Sequence, residues 1–492
     1  MALTNLNEDF ITNILENLSE NTHDLYNCIQ LNHSWSKIGV SILWRYYPWK
    51  NTFYSKKFWK PISHTILLSL PIPIKELIIF KDITKSYIIN NHPMYNYISY
   101  CRILSQNLIL KISNGILSEN NFHNYFNQNI LIEELWKLFL NNLPKIDYFI
   151  LPNNLSLINF FEDDKYIKNF QNIVKLECTT RISQEIFNEL SKITNNITEL
   201  IIYIYFNYPN YDNIGLAKLI SSQENLKWIK FISYDYEKCS NLTNLSNSLN
   251  SLTNTLISIE FKEEDISSLI INNSLINLKH LSIDLGKENT FIGKNMISLN
   301  SIELPSLEVL EITLFEINLF DSFITLLKQS NSKLKKIKIE TNYIKDDNFI
   351  TNYINTIIEY CPLIEDLNLW VTNNELKDIE LLLSSCIKLN QLLLETRINE
   401  DENNEILEAK PFFELLSTRG LNNLKEINLI GKWNFNNEEL ENFLVNYDEE
   451  YKEGGLKIGF HCVNGDDKEK FENICQIFEE KGTLKKYEFN YR

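Results

Sequence analysis

Most of the chain obeys one rule: an apolar residue, two variable ones, an apolar residue, one variable, an apolar residue. Twelve copies follow one another. They begin with Ile173-Leu176-Cys178, Ile197-Leu200-Ile202, Leu226-Ile229-Phe231, Leu256-Ile259-Phe261, Leu278-Leu281-Ile283 and Leu307-Leu310-Ile312. They continue with Leu334-Ile337-Ile339, Ile364-Leu367-Leu369, Leu389-Leu392-Leu394, Leu424-Ile427-Leu429, Gly455-Ile458-Phe460 and Leu484-Tyr487-Phe489, a mean period of about 28 residues. The closing apolar-x-apolar of each copy alternates as a short strand does, with every second side chain inward. The intervals are long enough for a helix. Ile186 to Ile193, Phe320 to Lys328, Ile350 to Tyr360, Leu376 to Leu383 and Leu440 to Tyr447 read as helices. One strand and one helix cannot bury their apolar faces alone, but stacked copies share a continuous core. The pattern predicts an α/β solenoid, a horseshoe with parallel strands inside and helices outside, over residues 66–492. Its copies are loose to about residue 170, where Ile74-Leu77-Ile79, Asn107-Leu110-Ile112 and Leu143-Ile146-Tyr148 are the matches, and regular after it.

Composition narrows the function. The chain has 492 residues, is 44% hydrophobic and carries a net charge of −17. That is core material enough for an ordered fold, and the charge argues against nucleic acid as the main ligand, because phosphate contacts need a concentrated positive field. The N-terminus lacks the basic and apolar regions of a signal peptide. The most apolar run, Ile66 to Phe80, is broken by Pro71, Pro73, Lys75 and Glu76, so no membrane span is expected. Eight scattered cysteines without a C-x-x-C pair read as reduced thiols of the cytoplasm or nucleus.

Ahead of the repeats, residues 1–45 read as a helical head. Leu6, Phe10, Ile11, Ile14, Leu15 and Leu18 fall at helical spacing. After a polar break, Leu25, Cys28 and Ile29 restart the pattern, and Leu31, Trp35, Ile38 and Ile42 step along a third helix that closes on Leu43 and Trp44. Three short helices make a core near the lower limit for folding alone. The following stretch, 46–65, is aromatic and basic and reads as a packed joint in which Lys stems cover rings.

The head resembles an F-box. The family's places are held by Leu6, Glu8-Asp9, Ile14-Leu15, Leu18, Leu25, Cys28, Leu31, Trp35 and Leu43-Trp44; its Pro after the first Leu is Asn7 here, a good helix N-cap. The repeats resemble leucine-rich repeats, and the copies beginning at Cys361 and Cys386 resemble their cysteine-containing type. Head first and array second resembles the F-box/leucine-rich-repeat proteins. That resemblance implies a non-catalytic subunit of a Skp–cullin–F-box ubiquitin ligase. Leu6, Asn7, Ile14, Leu15, Leu18, Leu31 and Trp35 would serve the Skp adaptor, some by contact and some through the head's own core. The Skp adaptor would link the chain to a cullin, and the repeats would hold a protein substrate. The competing reading is a leucine-rich-repeat scaffold whose head is only an N-terminal cap. A leucine-rich-repeat GTPase-activating protein would need a loop Arg or Asn set at a nucleotide, and no loop singles one out.

Side chains between the apolar triplets face the open sheet, where solenoids usually bind. The candidate substrate face is Lys227, Trp228 and Lys230; Glu308 and Glu311; Lys335, Lys336 and Lys338; Glu365, Asp366, Asn368 and Trp370. It alternates basic, acidic, basic and acidic strands, with Trp228 and Trp370 as exposed anchors. Catalytic chemistry is not expected. The seven His make no H-E-x-x-H or zinc spacing, and the 12 Gly make no phosphate-cradling loop or nucleophile elbow, so no cofactor or metal is implied. His461-Cys462 falls on a strand, and 463–472 reads as a turn entering a helix.

Overall fold

A computed structural model describes residues 7–19, 21–50, 56–79, 91–118, 125–153, 160–161, 163–209, 211–233, 242–262, 275–284, 303–314, 320–330, 332–341, 347–372, 374–396, 406–418, 424–450, 455–461 and 468–490. Leu6, Cys239, Cys462 and residues 463–467 lie outside these. The chain divides into two units, 1–203 with 213–226, and 204–212 with 227–492.

The first unit opens with three helices, α1 (Glu8–Asn17), α2 (Thr22–Ile29) and α3 (His33–Lys50). Asn7 caps α1, its side chain accepting from the Asp9 N–H at 3.4 Å, with Glu8 and Asp9 in the positive first turn. Ile11, Leu15, Leu25, Trp35 and Ile42 form the core, and Ile14, Leu18, Cys28, Ile38 and Leu43 pack against it. Helices α2 and α3 cross closely at Gly39, where a Cβ would come within 2.6 Å of the Ile29 side chain. Helix α3 does not stop at residue 45. Its last turns carry Trp44 onto Tyr97 (4.4 Å between rings) and Trp49 onto Phe139 (6.1 Å).

Four helices follow: α4 (Lys56–Ser69), α5 (Ile72–Ile79), α6 (Gln106–Ser118) and α7 (Tyr125–Asn142). Two of the loose triplets are therefore corrected. Ile74-Leu77-Ile79 lies in α5 and Asn107-Leu110-Ile112 in α6, because a three-residue apolar step suits a helix as well as a strand entry. The strands are β1 (Ile103–Ser105), β2 (Tyr148–Ile150), β3 (Lys175–Thr179) and β4 (Glu199–Ile204), parallel and in chain order. Phe149 of β2 pairs with Leu176 of β3. The copy in phase is thus Ile146-Phe149-Leu151, three residues beyond the expected Leu143-Ile146-Tyr148.

Helices α8 (Asp164–Phe170), α9 (Gln184–Ile193) and α10 (Ile214–Ser221) also belong to this unit. Asn213 both caps α10, accepting from the Leu216 N–H at 3.0 Å, and donates to the Ile182 carbonyl at 2.8 Å. Gly215 is required where α10 meets α9, since a Cβ there would lie 2.4 Å from the Gln184 carbonyl oxygen.

Among the described residues, the second unit repeats the scheme with ten parallel strands in chain order: β5 (Trp228–Ser233), β6 (Ser258–Lys262), β7 (His280–Asp284), β8 (Val309–Leu314), β9 (Lys336–Thr341), β10 (Asp366–Val371), β11 (Gln391–Thr396), β13 (Glu426–Ile430), β15 (Leu456–His461) and β16 (Leu484–Asn490). A two-residue pair, β12 (Leu407–Glu408) with β14 (Trp433–Asn434), sits apart. The helices are α11 (Thr243–Asn250), α12 (Phe320–Gln329), α13 (Asp347–Tyr360), α14 (Leu376–Ser385), α15 (Lys410–Thr418), α16 (Asn437–Glu450) and α17 (Lys468–Glu480). Four of the five helices expected from the intervals are among these, and α9 of the first unit is the fifth. In the complete triplets from Leu226 to Leu424 every apolar residue is buried, each side chain worth about 2 kcal/mol against exposure. Each unit is a solenoid-like α/β stack. No described helix is long and apolar enough to cross a membrane.

Candidate functional site

In the head, sequence reasoning joined residues that the structure separates. Leu15 and Trp35 are buried in the head's core, which puts them among the residues that would serve a partner through the fold and not by contact. Ile14 and Leu18 pack partly on that core, and Asn7 serves as the cap. Leu31 is 54% exposed, and so are Phe10 (54%) and Tyr26 (56%), which sequence reasoning did not single out as contacts. Tyr26 sits one residue after buried Leu25, about 100° round α2 and off its apolar stripe, and that position was the available signal. Helix α3 is fastened within its unit by the Tyr46 hydroxyl donating to Asp147 (3.1 Å) and by the Arg102 N–H donating to the Arg45 carbonyl (3.2 Å). Arg45 also reaches back to Glu16 of α1 at 2.8 Å.

On the open sheet face of the second unit, register brings Trp228, Ser258, His280, Val309, Lys336 and Asp366 into one row, and Lys230, Glu260, Ser282, Glu311 and Lys338 into the next. The charges do not stand free; they neutralise one another across strands. Glu260 accepts from the Trp228 indole and from Lys230, both at 2.7 Å. Burial works against its ionisation, but those two donors outweigh it and hold the carboxyl below the ordinary range. Lys336 reaches Glu311 at 3.0 Å and Asp366 at 3.6 Å. Burial again opposes Glu311, and Lys336 wins; at Asp366 burial wins and the carboxyl is raised. Lys279 and Lys335 clamp the two oxygens of Glu308 at 2.7 Å each and hold its carboxyl down to about 2. Lys338 pairs along its own strand with Glu340 at 2.7 Å. Lys227 and Glu365 place their carbonyls in the ladder, each accepting from two N–H groups of the next repeat.

Trp370 is not an exposed anchor. It is 2% exposed and its ring packs on Tyr353 (5.9 Å) and Phe349 (6.4 Å) of α13. Asn368 is buried as well. Strands β9 and β10 pair only at Lys336–Asp366 and Ile337–Leu367; beyond that the Asn368 amide occupies the place of a strand, accepting from the Ile339 N–H at 2.6 Å and donating to the Ile339 carbonyl. The alternation used to expose Trp370 fails at this split. Lys279, Glu260 and His280 were missed, although Glu260 holds the same central place in its triplet as Lys230 and Glu311. His280 spans β6 to β8, with Ser258 at 2.9 Å on one ring nitrogen and Glu311 at 3.5 Å from the other.

No group of His, Cys, Asp and Glu suited to a metal occurs among the described residues. The described cysteines are free. Burial pushes the thiols of Cys101, Cys361 and Cys475 up to about 12 and that of Cys386 to about 11, which leaves them without thiolate character near neutrality. Compared with known proteins, the chain matches no protein-family model, and no curated protein matches it significantly.

Proposed function

We propose that the chain is a protein-binding adaptor, the substrate-recognition subunit of a Skp–cullin–F-box ubiquitin ligase, non-catalytic and resident in cytoplasm or nucleus. The observation that carries this reading is a small three-helix head that completes its own core with Leu15, Leu25 and Trp35 yet leaves Phe10, Tyr26 and Leu31 more than half exposed, ahead of a repeat array. A partner helix gains by covering such side chains. The F-box-like placement of Glu8-Asp9, Ile14-Leu15 and Trp35 points to the Skp adaptor as that partner, and the repeats then hold the protein substrate.

A second reading keeps the array as a scaffold and the head as its cap. It is favoured by the continuity of α3 to Lys50 and its Tyr46–Asp147 bond. Co-expression of the full chain with a Skp adaptor separates the two by co-elution. A one-to-one complex is expected, weakened at least tenfold by Leu31→Asp, a substitution the exposed site tolerates. Ile14→Asp is a poorer control because Ile14 packs on the head's core. No complex at micromolar concentration would leave the cap. Asn7→Pro is expected to tighten the complex if the head docks as an F-box, whose Pro it restores, and the head should tolerate it because Asn7 already has φ −58° and its cap bond is long. Weaker binding by that variant would mean a different docking geometry.

A further inference from the structure

The open face of the first unit holds a cavity of about 580 Å³ that the charge-based reading of the sequence did not reach. It lies where α3 meets the first strands: Tyr46 comes from α3, Tyr148 from β2, and Val174 from the residue entering β3. Its size is within the range of ligand pockets. Val174 is an apolar side chain 43% exposed at a position where neighbouring repeats carry Asp147 and Thr198.

The charges around the cavity are already satisfied. Asp147 pairs with Lys145 at 2.9 Å and accepts from the Tyr46 hydroxyl. Lys175 pairs with Glu199 at 2.9 Å and lies 5.3 Å from the centroid of the Tyr148 ring. Two lysines and two carboxylates cancel, so an incoming charged side chain would have to displace an existing partner. A neutral apolar one displaces neither ion pair and covers Val174, with Tyr46 and Tyr148 lining the same cavity.

We propose that this cavity seats a neutral apolar or aromatic side chain of the protein substrate, an assignment that rests on the adaptor reading for what the occupant belongs to. Substrate engagement then centres on the first unit, beside the head, and the self-paired ladder of the second unit acts as a stiffener. The test uses the full chain alone and three probes, N-acetyl-tryptophanamide and the corresponding lysine and glutamate amides, in ligand-observed saturation-transfer NMR. The tryptophan amide is expected to receive saturation and the charged amides not. Val174→Glu, checked for an unchanged melting curve, should reduce the signal at least fivefold. Equal signals from the charged amides, no signal from the tryptophan amide, or a signal that Val174→Glu leaves intact would overturn the assignment. Selectivity among the amides is read on the unmodified chain and stands whether or not the variant folds. Because no Skp adaptor is present, failure of the head to bind one leaves this result untouched.

Discussion

Asn368→Leu is expected to destabilise the second unit by about 3 kcal/mol, because it strands two backbone groups at once. The Asn368 amide supplies both an acceptor for the Ile339 N–H and a donor for the Ile339 carbonyl, at a point where β10 no longer runs within reach of β9. Leucine fills similar space and offers neither atom. A buried N–H or C=O left without a partner costs about 1–3 kcal/mol, and the Tyr353 hydroxyl, which donates to the Asn368 carbonyl at 3.3 Å, does not replace either bond. Asn428 is the comparison. It holds the same central place on β13, but its amide donates to the neighbouring Glu426 side chain at 3.1 Å, so Asn428→Leu should move stability by less than about 1 kcal/mol. Thermal or urea unfolding of the two variants decides the matter. Equal losses would mean that the Asn368 amide is incidental to the joint.

The stack was legible because its signal is redundant. A triplet such as Leu278-Leu281-Ile283 is short, but eleven others of the same pattern make a strand the common solution, and the strands of the second unit pair in phase from β5 to β15; at β16 the register shifts, and Leu484 stands beside Leu456 instead of Gly455. Where the redundancy ends, so does the reading. Pro71 and Pro73 beside Ile74 favour the first turn of a helix, and Ser105 caps α6, its hydroxyl accepting from the Leu108 N–H at 3.1 Å; both signals were present and outweighed by a loose match. The charge alternation over β5 to β10 was also visible. What it could not convey is that Lys336 would spend its charge on Glu311 and Asp366, or that Glu260 would take the Trp228 indole, since these partners lie 25 to 32 residues apart. The Asn368 splice is the hardest case. An Asn between two leucines of a repeat looks like any solvated strand residue until the backbone of Ile339, 29 residues earlier, is set against it.

Glu395 should make the second unit less stable as pH rises from about 4 to about 7, and Glu395→Gln should abolish that part of the slope. The residue lies on β11 in register with Trp370 of β10 and Ile430 of β13. Burial, reinforced by the negative charge of Glu340 on β9, pushes its carboxyl up to about 7, although the Trp370 indole offsets part of the effect. In the unfolded chain the same group ionises near 4.3. Between those values the folded state keeps a proton that the unfolded state has lost, so its contribution is complete below about pH 4 and gone above about pH 7. A tenfold difference in proton affinity between the two states is worth about 1.4 kcal/mol, and partial exposure of the side chain brings the expected total to about 2 kcal/mol. The depressed carboxyls of Glu260, Glu308 and Glu311 act in the opposite sense and at lower pH, where their protonation weakens the stack. Comparing the variant with the natural chain cancels those contributions. Glutamine keeps the shape and a hydrogen-bond acceptor for the indole, so the two proteins should unfold alike at pH 4 and the variant should be about 2 kcal/mol more stable at pH 8. Parallel stability curves across that interval would show that Glu395 is ionised in the folded chain and that the face between Glu340 and Trp370 admits more water than its packing implies.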